Sequence, residues 1–242
     1  MKPKNYDIIF NLEKDNWWYK AKRDLFYNLL NSMKRNFNLA LDIGCGVGSN
    51  SEILKNFSIK TVGIDNSEKS IFFCKDKYDY LYKMDATDLK FKINSFDLVL
   101  CSDVLEHLDD SKAINEIARV LKPKGIFIFS VPAHNYLWGP TDLISNHKKR
   151  YEKNELRGLL NKNFNIIKLG YWNFLMFFPN LLFINLLASV NKNNKPQNTL
   201  QFIPKYLNNL LYNFLAIENR FFPRFNFPQG VSIIGICQKK EK

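Results

Sequence analysis

An apolar run ending in three glycines at alternate positions, Leu41-Asp42-Ile43-Gly44-Cys45-Gly46-Val47-Gly48, most constrains what this chain can fold into. Phe37–Ile43 reads as a buried strand, and the glycines let the backbone turn sharply and approach a ligand at the start of the next helix. The remaining periodicity repeats that unit. Helices are expected over 14–35, Ser49–Phe57, Ser67–Lys75, Asp110–Leu121 and Lys153–Leu160. Strands are expected over Lys60–Asp65, Tyr80–Met84, Phe96–Cys101, Gly125–Val131, Phe164–Leu169 and Val231–Cys237. Strands alternating with helices imply right-handed βαβ units, a doubly wound α/β body, and a ligand site beyond the carboxyl ends of the strands.

The glycine pattern is G-x-G-x-G, because Ser49 stands where a dinucleotide fingerprint would place its third glycine. A nicotinamide oxidoreductase is therefore disfavoured. Asp65 ends the second strand about 20 residues after the first glycine, a position suited to accept hydrogen bonds from a ribose diol.

On these residues the chain resembles the class I S-adenosylmethionine (SAM) dependent methyltransferases. LDIGCGVG resembles their first motif and VGIDNS their second. The run Tyr82–Ala86, SFDLVLCSDVLEHLDD and LKPKGIFIFSVP follow in the family's order, so the likeness covers roughly 38–170. It implies a Rossmann-like, seven-stranded, mostly parallel sheet whose last strand is antiparallel. It also implies that Asp42, Gly44 and Gly46 frame the methionyl part of SAM, with Cys45 and Gly48 in the same turn. Asp65 and Asn66 would lie at the ribose, Asp85 and Ala86 at the adenine, and Ser102 near the sulfonium. Asp142…His147-Lys148-Lys149-Arg150-Tyr151 resembles the D…H-x-R-R-Y segment of a subgroup associated with cell-surface glycan or lipid assembly, with Lys149 in place of the first arginine. Trp17-Trp18 and Arg23 resemble that subgroup's H-W-W…R entry, with Asn16 in place of the histidine.

Methyl transfer needs an in-line acceptor and, for a hydroxyl, a group to take its proton. His147, Asp142 and His107 are the candidates for catalysis, with His134 a further one. The four cysteines form no C-x-x-C pair and have no histidine at zinc-ligand spacing, so no metal is expected. No signal peptide is visible at the N-terminus, which places the catalytic body in the cytoplasm as an expectation.

Charge is lopsided: residues 143–242 hold 15 Lys+Arg against 4 Asp+Glu, whereas 1–142 hold 20 against 19. Residues 169–191 contain no charge, and an amphipathic helix with Ile203, Leu207, Leu210, Leu211, Phe214 and Ile217 follows a polar linker. The stretch reaches the length of a membrane span, but a single crossing would strand the last strand on the wrong side, so an interfacial hairpin turning near Pro179-Asn180 is expected. A lid, a dimer interface and plain core are the other readings of the same surface. The organisation expected is an N-terminal cap (1–36), a SAM domain (37–170 plus 229–242) and a helical insertion (171–228).

With the basic surplus, these features point to an amphiphilic acceptor, such as a lipid-linked sugar, polyprenyl or quinone-type compound, at the inner face of an anionic membrane. An RNA methyltransferase gripping phosphates and a non-catalytic interaction protein on the same fold are alternatives. The apolar insertion weighs against the first, and the complete glycine and acid set against the second.

Overall fold

The computed structural model describes residues 12–182 and 203–241. Asn16 starts helix α1 (Trp17–Ser32) by accepting a hydrogen bond from the Trp18 amide at 3.0 Å, so the residue standing in place of the subgroup's histidine is a helix cap. The chain then alternates β1 (Phe37–Ile43), α2 (Ser51–Phe57), β2 (Ser58–Asp65), α3 (Glu68–Phe73), β3 (Tyr80–Lys83), β4 (Phe96–Ser102), α4 (Asp110–Val120) and β5 (Leu121–Pro132). A short α5 (Pro140–Ser145) precedes α6 (Lys153–Leu160), β6 (Phe164–Trp172), α7 (Lys205–Phe221) and β7 (Ser232–Lys239).

The seven strands are ordered β3-β2-β1-β4-β5-β7-β6. All neighbours are parallel except β7, which runs antiparallel between β5 and β6. Strand order reverses between β1 and β4, which opens a crevice beyond their carboxyl ends. Both faces are covered. Ala113, Ile114 and Ile117 of α4 with Leu156 and Leu160 of α6 pack one side, and Leu25, Phe26 and Leu29 of α1 with Leu54 and Leu215 pack the other. Gly235 is a glycine for space, since a Cβ there would lie 2.1 Å from the Phe129 ring.

The N-terminal helix and the insertion form one pair. Asn219 of α7 accepts from the Trp172 indole at 2.8 Å and donates to the Ala21 carbonyl at 2.7 Å, while Tyr212 donates to Asp24 at 2.6 Å. Buried Glu218 accepts the amides of Asn173 and Phe174, which seats the chain as it leaves β6. Two expectations change here. Residues 169–172 belong to β6, which extends past the expected Leu169 end. Pro179 and Asn180 lie in a helical stretch beginning at 177 and not at a hairpin turn. A first helical turn tolerates proline because its amides have no partner inside the helix. The rest of the apolar stretch, 183–191, lies outside the described residues. No helix among the described residues is long and apolar enough to cross a membrane.

Candidate active site

The crevice has two halves. In the first, Gly44, Gly46 and Gly48 adopt left-handed φ of +69°, +59° and +80°, which residues with a Cβ adopt only at a cost. At Gly44 a Cβ would also meet a Val104 methyl at 2.3 Å. The amides of Gly44 and Cys45 both reach the Ile64 carbonyl at 2.9 Å, tying the turn to β2. Asp65 finishes that tie, since its carboxylate accepts from the Gly46 amide at 3.0 Å and the Ser67 amide at 2.8 Å. Each oxygen retains a further acceptor position toward the crevice rim, where Asn66 is exposed. Asp85 is exposed with one oxygen bound to the Thr87 amide and hydroxyl, beside buried Ala86. Cys45 and Cys74 are reduced and buried, their sulfurs 3.7 Å apart.

Asp42 lies beneath the loop, fully buried, with one oxygen accepting from the Tyr78 hydroxyl at 2.6 Å. Burial pushes its carboxyl up to about 7. Between an ordinary aspartate value and that figure, the native state holds a proton that the unfolded chain has released. Stability therefore falls as pH rises through this window, by about 4 kcal/mol in total. Urea midpoints should drop from pH 5 to pH 8 in the wild type. Asp42→Asn should be less pH-dependent than the wild type across this window, and an unchanged slope would show that the Asp42 carboxyl is ionised throughout.

The second half is a chain of buried polar groups running from α1 across the end of β4 to α5. Lys22 is buried, forms an ion pair with Asp103 and sits 3.3 Å over the Trp18 ring. Asp103 has a left-handed φ of +53° and also accepts from Ser130 at 2.9 Å, with Ser102 beside Ser130 at 3.1 Å. Next comes Glu106, 1% exposed, whose carboxylate oxygens meet no donor from another residue among the described residues. Burial, with Asp103 nearby, drives its carboxyl well above the usual range. The Nε2 atom of His147 faces Glu106 at 3.9 Å, and the His107 and His147 rings meet edge-on at 4.9 Å.

Asp142 lies behind His147, fully buried. It accepts from His147 Nδ1 at 2.7 Å, from Arg150 Nε and Nη2 at 2.9 Å each, and from the Gly139 amide at 2.8 Å. Against the burial that would raise it, the bonds from His147 and Arg150 hold its carboxyl below the usual range. Asp142 thus fixes the orientation of the His147 ring. His134 stands apart, stacked between Tyr136 and Tyr171 at 4.8 Å from each, which is a packing role.

Sequence reasoning missed Lys22, Asp103, Glu106 and Glu13. Glu13 accepts from the Ser49 hydroxyl at the end of the glycine turn, and Arg23 bonds the Glu13 carbonyl to hold that segment down. One signal was available: Lys22 interrupts the apolar stripe Trp18, Leu25, Leu29 of α1, and a buried lysine needs a partner.

Comparison with known proteins shows what the central part of the chain is similar to. Residues 41–129 match the methyltransferase domain family, a span running from the glycine turn through most of β5. Residues 41–129 are thus similar to a methyltransferase domain, carried on a sheet of the class I methyltransferase fold. The fold is similar to the N-methyltransferase NodS of Bradyrhizobium japonicum solved with S-adenosylhomocysteine. There the TM-score is 0.60 at 14% identity, covering 95% of this chain and 91% of that one. An uncharacterized protein of Methanocaldococcus jannaschii is 36% identical over 156 residues, 63% of this chain and 64% of that protein. A ubiquinone biosynthesis O-methyltransferase of Aromatoleum aromaticum is 30% identical over 137 residues, 50% of this chain and 58% of that protein. The match spans 64%, 49% and 57% of the first three curated relatives' own lengths. The cofactor of such a domain is SAM, and the crevice suits it. The turn can be this tight because positions 44 and 48 lack a Cβ, which would meet Val104 and Lys77 at 2.3 and 2.4 Å, and buried Asp42 lies beneath it.

Proposed function

We propose that this protein transfers a methyl group from SAM to an oxygen of a small or amphiphilic acceptor presented at a membrane surface. One observation carries the reading: beyond the carboxyl ends of β1 and β4 the fold places a left-handed glycine turn pinned by the Asp65 carboxylate, and buried Glu106 with the His147–Asp142 pair beside it. Asp42, Gly44 and Gly46 would hold the methionyl end of the cofactor, Asp65 the ribose and Asp85 the adenine. Bound there, SAM supplies a methyl already activated by the sulfonium.

The protein's own residues do the rest. His147 bonds Asp142 through Nδ1, which leaves Nε2 as the ring atom turned toward Glu106. Arg150 fixes Asp142 from behind through two parallel bonds. A hydroxyl acceptor placed against Nε2 therefore has somewhere to deliver its proton as the oxygen attacks. The O-methyltransferase named among the similar proteins supports oxygen as the acceptor atom.

The membrane part rests on the insertion and its neighbours. Phe178, Leu182, Tyr206, Leu210, Ile217 and Phe225 are exposed, on the half of the chain that carries a net charge of +11. An apolar surface inside a basic region suits an anionic bilayer.

Calorimetry with S-adenosylhomocysteine, with NADH as control, tests the cofactor. Micromolar binding of the first alone is expected, and binding of NADH instead would overturn the assignment. Flotation with vesicles tests the surface. The protein should float with phosphatidylglycerol vesicles and stay behind with phosphatidylcholine at low salt; indifference to both would remove the membrane from the reading.

A further inference from the structure

We propose that Glu106, His107 and His147 bind a divalent transition-metal cation. Their candidate donor atoms all lie within 4.8 Å of one another. Tetrahedral ligands on a zinc-like ion stand about 3.4 Å apart, given metal–ligand distances of about 2.1 Å, so small side-chain rotations would close the set.

Three features separate this cluster from a chance meeting of polar groups. Glu106 is 1% exposed, and among the described residues neither carboxylate oxygen meets a donor from another residue. Ionised, such a carboxylate is costly unless a cation compensates its charge. The 3.9 Å approach of His147 is too long to be a hydrogen bond. Second, both imidazoles are already oriented from behind. His147 Nδ1 is bonded to Asp142 at 2.7 Å and His107 Nδ1 to the Asn146 carbonyl at 3.3 Å. His147 thereby turns Nε2 toward Glu106, and both rings are held through one nitrogen as second-sphere carboxylates and carbonyls hold ligating histidines. Third, that support is itself rigid, because Arg150 clamps Asp142.

Two imidazoles and one carboxylate suit zinc, iron, cobalt, nickel or manganese and not calcium, which prefers all-oxygen sets. Three protein ligands leave a position for an oxygen from outside, as catalytic sites do. The expectation of no metal came from the cysteine and histidine spacings; His147 lies 40 residues beyond the adjacent pair Glu106-His107, and the fold brings the three together.

This inference rests on the proposed methyl transfer and deepens it. The acceptor hydroxyl would bind the cation, which lowers its pKa, and its proton would pass to water. The oxygen then forms the new C–O bond while the S–C bond breaks and its electron pair stays on sulfur. In the loaded protein His147 serves as a ligand, and the cation replaces it in activating the acceptor.

The test uses the full chain stripped with a chelator and titrated with Co2+ alone, read by visible absorption, and with Zn2+ by calorimetry. One equivalent should bind, with intense cobalt bands of low coordination number. Glu106→Gln and His107→Gln should each weaken binding by about 10-fold or more. S-adenosylhomocysteine titration serves as the control for folding, and it should be unchanged. His107 is half-buried and its replacement carries the test if Glu106→Gln does not fold. Absence of stoichiometric binding, or equal affinity in His107→Gln, would overturn the site. Failure of the methyltransferase reading would show separately, as loss of S-adenosylhomocysteine binding in the wild type.

Discussion

Asp65→Ala should weaken S-adenosylhomocysteine binding by about 100-fold or more, the largest change in affinity expected from any single substitution in the cofactor half. Two effects add. The carboxylate is the expected acceptor for a ribose diol, and hydrogen bonds to a charged group contribute about 1.5–3 kcal/mol each. It also holds the Gly46 and Ser67 amides, at 3.0 and 2.8 Å, so its loss releases the glycine turn from the end of β2. Asp65→Asn separates the two. Its amide oxygen can still accept one backbone hydrogen bond, but it has lost the charge and one acceptor. An intermediate loss, about 10-fold, is expected there. Both variants should melt near the wild-type temperature, because Asp65 lies at the rim and outside the core. Calorimetric titration beside a thermal melt decides the matter. Near-wild-type affinity in Asp65→Ala would refute the ribose assignment and leave the residue a turn-forming acid only.

The elements that sequence made legible are those whose periodicity and boundaries agree. β1 and α6 occur over the residues expected, Phe37–Ile43 and Lys153–Leu160. In each, an apolar run meets an unambiguous stop, the glycine turn after β1 and the polar stretch after α6. β5 starts earlier than expected, at Leu121, because Lys122-Pro123-Lys124-Gly125 reads as a helix stop followed by a loop. The structure carries it as the irregular first part of the strand, with a register shift against β4 between Phe96 and Leu98. Helix α5 was not foreseen. Its six residues are too short to show a period, and it is set by Pro140 at its first position and by the Asp142 carboxylate reaching back to the Gly139 amide.

The candidate site divides along a similar line. The cofactor half is local, written in one glycine turn and in acids at strand ends, and a linear reading finds it. The acceptor half is assembled from distant pieces. Lys22 pairs with Asp103 across 81 positions, and Glu106 meets His147 from a 3-10 turn at Leu105–His107. No spacing rule relates such pairs. What sequence does show is the anomaly each one leaves: a lysine in an apolar stripe, or a glutamate beside a buried leucine. Anomalies of that kind mark where the fold must supply a partner, without saying which.

Arg150→Ala should be the most destabilising change in the acceptor half, with an unfolding cost of about 3–5 kcal/mol. The guanidinium is 7% exposed and makes three bonds: two to Asp142, and a third from Nη1 to the Ala133 carbonyl at 3.0 Å. Its removal leaves the Asp142 carboxylate fully buried with only His147 and the Gly139 amide to compensate it. For a chain of this size each kcal/mol corresponds to roughly 2–4 °C, so the melting temperature should fall by about 10 °C. Arg150→Lys should recover only part of the loss, because an ammonium cannot span both carboxylate oxygens as the planar fork does. The charge explanation can be separated from simple loss of volume. Arg150→Met keeps much of the side chain's bulk, and pairing it with Asp142→Asn removes the stranded carboxylate. If the cost comes from an uncompensated buried charge, the double variant should be more stable than Arg150→Met alone. If the double variant is instead less stable by the sum of the two single effects, the pair is not coupled and the clamp is packing only. Because His147 takes its orientation from Asp142, the same double variant should fold yet lose turnover, which makes stability and activity separately readable at this one position.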